Sequence, residues 1–322
     1  MIRSALIFIL VTVSLYLLAI GVLTNVNYES RNLLFHGNNY YPVRGGNVYR
    51  KFTEYDRNRH YDIICVGASR CYRVYDTELL GELGYDAFNL ASYSQTVENT
   101  YHIINEYVAE AHPGCVIYDL ADITFSTEIP TLEADLDLVM NSLNAKVPTD
   151  ILLRNPDVRI VNTYMSRLFF RNSMLNPSEK NYKKGGYCSR TDSLPHELCE
   201  QMSERSSREN HELVWLDERM LWLHKLITLC EQKNLKLIPV IGPVSSYYPE
   251  ERTRTSHEKF ERAFAAHGLH VYDFSDMPGI NACDHFYDYG HMNQSGVNIF
   301  IPYLTKTLRD QLPTSHEVSR DE

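Results

Sequence analysis

The chain has 322 residues, of which 44% are hydrophobic, and it carries a formal net charge of −10 with a pI near 5.7. This hydrophobic content is enough for a packed core, which excludes a chain that is disordered throughout. The acidic balance argues against nucleic acid as the main partner, because binding to phosphate needs a basic surface.

An uncharged stretch near the amino terminus is the first element along the chain. Residues 5–23 would form a helix of roughly 28 Å, close to the thickness of a bilayer core. The stretch is longer than the core of a signal peptide and no A-x-A cleavage site follows, which favours an uncleaved single-pass anchor over residues 1–26. Arg3 precedes it, and we expect the remaining chain to lie outside the cytoplasm. The polar residues 27–60 are typical of a juxtamembrane linker.

Short apolar runs alternate with helical patterns through residues 61–322. The predicted strands are Tyr61–Gly67, Ala87–Leu90, Cys115–Leu120, Leu235–Ile241 and Leu269–Phe274. Helical periodicity is found at 77–83, 97–111, 213–232 and 250–267, and a last helix begins near Asn293 and is bent or interrupted at Pro302. This alternation predicts a three-layer α/β/α fold with a five-stranded parallel, flavodoxin-like sheet. Neither G-x-G-x-x-G nor a P-loop motif follows the first strand, so we expect no nucleotide cofactor.

The alternation is interrupted between about residues 124 and 210. This insertion contains a candidate helix at 158–170 and a Lys/Gly-rich turn at 183–186. Its position after the third strand favours a cap that shapes substrate access, and a surface lobe without function is the alternative. Cys188 and Cys199 lie within it and would be able to pair in an oxidising compartment.

Two stretches carry residue types suited to nucleophilic catalysis. Ser69 follows the first strand in the sequence GASR, at the edge where α/β sheets bind ligands. Asp288 and His291 are three residues apart in DYGHMN, a spacing that lets the carboxylate reach the imidazole, and a serine needs such a base. The order Ser…Asp…His predicts a catalytic triad. The alternatives are a helix N-cap at Ser69 and loop hydrogen bonds for the other two side chains.

Three sequence blocks resemble the SGNH hydrolase superfamily, also called GDSL-like. They are GASR after the first strand, NLASYSQT after the second and DYGHMN before the last helix. The chain looks most like the membrane-tethered bacterial branch, in which the first block is G-x-S. That branch includes proteins implicated in O-acylation or deacylation of envelope polysaccharides and teichoic acids. The resemblance covers about residues 61–123 and 213–311, and leaves the insertion out.

The resemblance implies a role for each matching residue. Ser69 would be the nucleophile, His291 the base and Asp288 its orienting partner, while the backbone amide of Arg70 would donate to the oxyanion. Ser94 or a neighbour stands where the family has a glycine whose amide is a second donor. The family's third block, G-x-N-D, supplies an asparagine, but here residues 120–124 are LADIT. Either another donor, such as Gln95 or Asn89, would replace it, or the activity would be weak or absent. The side chains of Arg70 and Arg73 would bind an anionic substrate group or remain solvated.

The function implied by the resemblance is a membrane-anchored serine esterase or O-acyltransferase that needs no cofactor and no metal. Its substrate would be an acyl ester, with acetyl the expected group, on an envelope polysaccharide, and a membrane-bound acyl-transfer protein is a possible partner. One alternative is an inactive SGNH-like scaffold that binds a glycan or an assembly partner. Another is a metallohydrolase that uses Asp284, His285, Asp288 and His291.

Overall fold

The structure is a computed structural model that describes residues 2–28, 31–35, 44–128, 131–169, 178–195, 197–199, 213–288 and 290–313. Parts of the predicted linker (29–30 and 36–43) and of the predicted insertion (129–130, 170–177, 196 and 200–210) lie outside the described residues. The chain divides into two compact units. The anchor unit comprises residues 1–52 and 135–178, and the sheet unit comprises residues 53–134 and 179–322.

The helices are numbered in chain order. They are α1 (Ile2–Thr24), α2 (Gly46–Glu54), α3 (Ser69–Val74), α4 (Thr77–Glu82), α5 (Val97–Ile103, continued by a π-helical turn at Ile104–Val108), α6 (Thr131–Asn141), α7 (Lys146–Arg154), α8 (Val158–Phe169), α9 (Asp217–Gln232), α10 (Glu250–Ala265), α11 (Ala282–His285) and α12 (Gln294–Thr307). Two-residue strands at Asn27–Tyr28 and Arg31–Asn32 form a small antiparallel pair, and single 3₁₀ turns lie at Leu33–Phe35 and Asp122–Phe125.

Five strands form a parallel sheet in the described part of the sheet unit. They are β1 (Ile63–Val66), β2 (Ala87–Asn89), β3 (Cys115–Asp119), β4 (Leu237–Ile241) and β5 (Tyr272–Asp273), in the spatial order β2-β1-β3-β4-β5. This order confirms the predicted flavodoxin-like sheet. The strand order reverses between β1 and β3, and the carboxyl ends of these two strands flank the crevice where such sheets bind ligands.

The core of the sheet unit follows from the period of two along each strand. Ile63, Cys65 and Ile117 share one face of the sheet and pack in one cluster with Phe300 and Leu304 of α12. Helices α5 and α9 pack against each other, and helices cover both faces of the sheet. All residues of β1 to β4 are therefore buried, as is usual for parallel strands.

The anchor unit contains α1, which carries no charge after Arg3. Among the described residues, α1 is the one helix long and apolar enough to span a membrane. Ile20 and Thr24 are its buried residues. The unit also contains α7, α8 and most of α2 and α6. Arg167 of α8 donates to the carbonyl oxygens of Ser142 (2.6 Å) and Asn144 (2.9 Å).

Most predicted elements are present within a few residues of their predicted bounds, and four differ. The predicted linker contains α2, and the insertion contains α6 and α7 in addition to α8. The predicted strand 269–274, at the edge of the sheet, pairs with β4 only through Tyr272 and Asp273. The last helix runs through Pro302 without a break.

Candidate active site

Ser69 stands at the carboxyl end of β1, where the chain turns sharply into α3. Gly67 makes this turn with φ of +148°, and a Cβ there would lie 2.9 Å from the carbonyl oxygen of Asp119. Only glycine fits such a close approach of two backbones. Helix α3 begins at Ser69 itself, which leaves the hydroxyl half-buried at the sheet edge.

His291 and Asp288 lie on a short loop that leads into α12. Phe286 and Met292 form an isolated antiparallel bridge at its base, and both side chains are fully buried in the core. Asn293 caps α12 by accepting from the amide of Gly296, and it also donates to a carbonyl of α11. The loop is thus closed at its base by core packing, which fixes where its carboxylate and imidazole lie.

The structure brings these three side chains together in a chain of hydrogen bonds. Oγ of Ser69 lies 2.7 Å from Nε2 of His291, and Nδ1 of the same ring lies 2.8 Å from each carboxylate oxygen of Asp288. Oδ1 of Asp288 also accepts from the amides of Gly290 (3.0 Å) and His291 (2.9 Å). Burial works to raise the pKa of the Asp288 carboxyl, but hydrogen bonds from the His291 ring and these amides lower that pKa below its ordinary value.

This arrangement suits proton abstraction from the serine. An ionised Asp288 fixes the proton of the imidazole on Nδ1, so that Nε2 is free to accept the hydroxyl proton of Ser69. The same carboxylate stabilises the imidazolium ion that then forms. The geometry therefore supports nucleophilic attack by Ser69 on an electrophilic carbon.

Two backbone amides are candidate donors to an oxyanion. The amide of Arg70 belongs to the first turn of α3 and has no acceptor within the helix. Ser94 adopts a left-handed φ of +49°, the conformation that a glycine takes without strain. The amide of Ser92 donates to the carbonyl of Gly67 (3.3 Å), so the loop that carries Ser94 lies against the turn before Ser69.

The two side chains predicted to replace the third donor are used elsewhere. Nδ2 of Asn89 donates to the carbonyls of Cys71 (3.0 Å) and Tyr75 (3.3 Å), which holds α3 against β2. Gln95 is buried, accepts from Ser92 (2.9 Å) and donates to Thr100 (3.0 Å). The structure therefore does not support Asn89 or Gln95 as the oxyanion donor, because the amide of Asn89 braces α3 and that of Gln95 is bound within its own segment.

The third block also has a different use in this chain. The carboxylate of Asp122 lies where the resemblance leads one to expect an asparagine, and it is buried. It accepts from the hydroxyl of Tyr248 (2.6 Å), from Nε of Arg252 (2.9 Å) and from Ser256 (3.3 Å). Asp122 thereby ties the end of β3 to α10 and the loop before it.

The side chains of Arg70 and Arg73 are buried rather than solvated, and neither serves as a free anion site. The guanidinium of Arg70 lies 3.5 Å from Asp119 and donates to the carbonyl of Leu120 (2.6 Å). Arg73 donates to the carbonyl of Cys188 (3.2 Å) and pairs with Glu179 (3.1 Å). The alternative that these two arginines are solvated is therefore wrong.

Sequence reasoning missed an aromatic ring beside the imidazole. Tyr287 stacks on His291 with ring centroids 5.5 Å apart and planes tilted by 13°. The guanidinium of Arg190 lies 5.0 Å from the centroid of the Tyr287 ring. Burial raises the pKa of Tyr287 to about 12, so its phenol stays neutral. The adjacency of Tyr287 to Asp288 was visible in the sequence, but adjacency does not predict a stack.

The disulfide bond in the structure differs from the predicted one. Cys199 forms a disulfide with Cys283, 84 residues away, and Cys188 is a buried free thiol. The predicted bridge between Cys188 and Cys199 is therefore wrong. Because Cys283 lies in α11, the bridge ties the insertion to the segment just before the His291 loop.

The metal alternative finds no ligand geometry in the described part of the chain, where no three His, Cys, Asp or Glu side chains meet in a way that would hold a metal ion. Nδ1 of His285 accepts from the amide of Asn281 (2.7 Å), and Asp284 is exposed. Asp288 and His291 are occupied with each other.

Comparisons with known proteins give structural likenesses only. No protein-family profile and no curated protein matches the chain. Similar solved structures include a GDSL-like lipase from Bacteroides thetaiotaomicron, which is 9% identical, with 80% of this chain and 90% of that chain covered at a TM-score of 0.40. Another is the lipase/acylhydrolase from Enterococcus faecalis, which is 12% identical, with 79% and 98% covered and a TM-score of 0.40. What the site can do follows from its own residues.

Proposed function

We propose that the protein is a membrane-anchored serine ester hydrolase or O-acyltransferase of the SGNH type. The observation that carries this proposal is the hydrogen-bonded chain from Ser69 through His291 to Asp288. It lies after β1, at the switch point of the sheet.

The proposed reaction uses Ser69 twice, as attacking group and as acyl carrier. Oγ attacks the ester carbonyl while Nε2 of His291 takes its proton, and the amide of Arg70 donates to the oxyanion that forms. The ester C–O bond then breaks, and His291 returns the proton to the departing alcohol. Water or a sugar hydroxyl attacks the acyl-serine by the reverse sequence, which restores the free serine. No step calls for a cofactor.

The proposed substrate is an acyl ester, with acetyl as the expected group, on a polysaccharide of the cell envelope. Three observations support this: the resemblance of the sequence blocks, the apolar helix α1 as a tether, and the disulfide between Cys199 and Cys283. A disulfide fits an oxidising compartment, and therefore a sheet unit outside the cytoplasm. A membrane-bound acyl-transfer protein would be the partner if the acyl group is delivered from across the membrane.

The alternative function is a non-catalytic scaffold that binds a glycan or an assembly partner. The observation that favours it is Asp122, whose carboxylate is bound to Arg252 in the place where a third oxyanion donor is expected. Losing one such donor costs on the order of 100-fold or more in turnover.

The test is labelling of the full-length, detergent-solubilised protein with a fluorophosphonate, followed by mapping of the modified peptide by mass spectrometry. We expect the label on Ser69, and no label in Ser69→Ala or His291→Ala. Ser275→Ala is the matched control, because Ser275 also follows a strand of the sheet, and it should label like the wild type. A folded protein that does not label at Ser69 would favour the scaffold.

A further inference from the structure

Helix α8 of the insertion lies alongside the second half of α1. The hydroxyl of Tyr16 donates to Oδ1 of Asn162 (2.7 Å). Further along both helices, a Cβ at Gly21 would lie 3.4 Å from the ring of Phe169, and Nδ2 of Asn25 donates to the carbonyl of Phe169 (3.0 Å). Later residues of α1 contact later residues of α8, so the two helices lie side by side and run in the same direction.

The length of α1 then constrains the depth of α8. A bilayer core of about 30 Å takes roughly 20 helical residues to cross. Suppose that α8 and the residues of α1 beside it, 16–24, lay outside the hydrocarbon core. Only residues 2–15 of α1 would then be left to cross the core, and they span about 21 Å at 1.5 Å per residue. That is about 9 Å too short for the core. An α1 that crosses the membrane therefore places α8 at the depth of the leaflet that holds its carboxyl-terminal half.

The surface of α7 and α8 fits such a position. Leu153, Val158 and Leu168 are exposed by 76%, 66% and 65%. The charges next to them are neutralised, because Arg159 makes a two-pronged ion pair with Asp157 at 2.9 and 2.8 Å. A paired charge costs much less to bring near lipid than an isolated one.

The remaining arginines of α7 and α8 also have partners within the anchor unit. Arg154 pairs with Asp135 at 2.6 Å, and Arg167 donates to three main-chain carbonyls before α7. Both guanidinium groups are therefore bound to groups of the anchor unit and are not isolated charges.

We propose that the anchor unit is seated in the membrane, with α8 packed on α1 and with Leu153, Val158 and Leu168 in contact with the acyl chains of a phospholipid bilayer. The partner of this surface is lipid, and the proposal rests on the proposed anchor role of α1. This position in the membrane requires that α1 is not cleaved from the mature chain, because cleavage would remove the helix on which α8 packs.

The test measures the depth of single labelled positions in the full-length protein. The variants Val158→Cys and Leu168→Cys are labelled with an environment-sensitive fluorophore and reconstituted in phosphatidylcholine–phosphatidylglycerol vesicles, with spin-labelled lipid as one quencher and aqueous iodide as the other. Val11→Cys, within α1, reports whether the anchor is inserted. Leu221→Cys is the matched control, because Leu221 is 61% exposed on α9 of the sheet unit.

We expect labels at 158 and 168 to be quenched by the lipid-bound spin label and protected from iodide, as at 11, and the label at 221 to show the reverse. If the labels at positions 158 and 168 behave like the label at 221 while the label at 11 is quenched by the spin-labelled lipid, then α8 does not contact lipid. That outcome would refute this proposal but not the anchor role of α1. A label at 11 that is open to iodide would overturn both. Fluorophosphonate labelling of Ser69 in the same samples reports separately on the proposed catalysis.

Discussion

The replacement of Asp288 by asparagine tests whether the carboxylate sets the proton of His291. An asparagine can keep its oxygen as acceptor for the amides of Gly290 and His291, which Asp288 holds at 3.0 and 2.9 Å. Its NH₂ group then faces Nδ1, where the carboxylate now lies at 2.8 Å. The retained oxygen also lies 2.8 Å from Nδ1. With the ring proton on Nε2, Nδ1 accepts from the NH₂ group and no two donors face each other, so this tautomer is favoured, and its Nε2 can no longer accept from Ser69.

We expect the loop to stay in place and the rate to fall. The loss should be on the order of 10³- to 10⁴-fold in kcat/KM, the size of effect that a wrong tautomer has in such a triad. At about 1.36 kcal/mol per tenfold, this is about 4 to 5.5 kcal/mol of transition-state stabilisation. The rate of fluorophosphonate labelling at Ser69 measures the same activation without knowledge of the natural ester.

The matched control is Asp284→Asn, which changes the same residue type four positions earlier at an exposed site. It should label at the wild-type rate. If Asp288→Asn labels within about threefold of wild type, a difference of less than about 1 kcal/mol, then Asp288 does not set the tautomer and the reasoning is refuted.

The lowered pKa of Asp288 adds a pH dependence to the same comparison. Because the folded state lowers this pKa below 3.8, the ionised carboxylate contributes stability above pH 3.8, and that contribution is lost as the pH falls through the lower folded value. The difference in unfolding free energy between wild type and Asp288→Asn should therefore shrink between urea melts at neutral pH and melts below pH 3.8. A difference that grows in acid would contradict the assignment.

Three further changes test what holds the site. Arg70→Met leaves Asp119 buried without its cation and should cost about 3–5 kcal/mol in urea melts, and a loss below about 1 kcal/mol would contradict the buried pair. Gly186→Ala puts a Cβ in collision with the carbonyl oxygen of Asn89 at φ +95°, so it should cost at least the roughly 1–3 kcal/mol of backbone strain in urea melts. Cys283→Ser should cost about 2–4 kcal/mol and make stability insensitive to dithiothreitol, unlike wild type.

The framework of the fold was predictable because buried parallel strands are short, uninterrupted apolar runs in a sequence. Ile63–Val66 is an uninterrupted apolar run, as buried strands of such sheets are, and its end at Gly67 places Ser69 at the sheet edge. The same logic predicted β3 and β4. It overestimated β5, because an apolar run does not say how many of its residues find a pairing neighbour.

The site was predictable only where neighbours in the chain act together. Asp288 and His291 are close in sequence, so their contact follows from spacing, and their order after Ser69 suggested the rest. The use of Asn89 as a brace for α3 depends on a tertiary contact that no local pattern specifies. The same is true of the bridge from Cys199 to Cys283, whose partners lie 84 residues apart.

The part of the insertion from 179 to 195 holds the two halves of the site in register. On one side, the amide of Cys188 donates to the carbonyl of Tyr72 in α3 (2.9 Å). On the other, the carbonyl of Arg190 accepts from the amide of Gln294 (2.6 Å), and the amide of Leu194 donates to the carbonyl of Phe286 (3.1 Å), so both ends of the His291 loop are contacted. Ser69 and His291 are 222 residues apart, and the strands fix only the first of them. The 2.7 Å contact between them therefore depends on this segment as much as on the sheet.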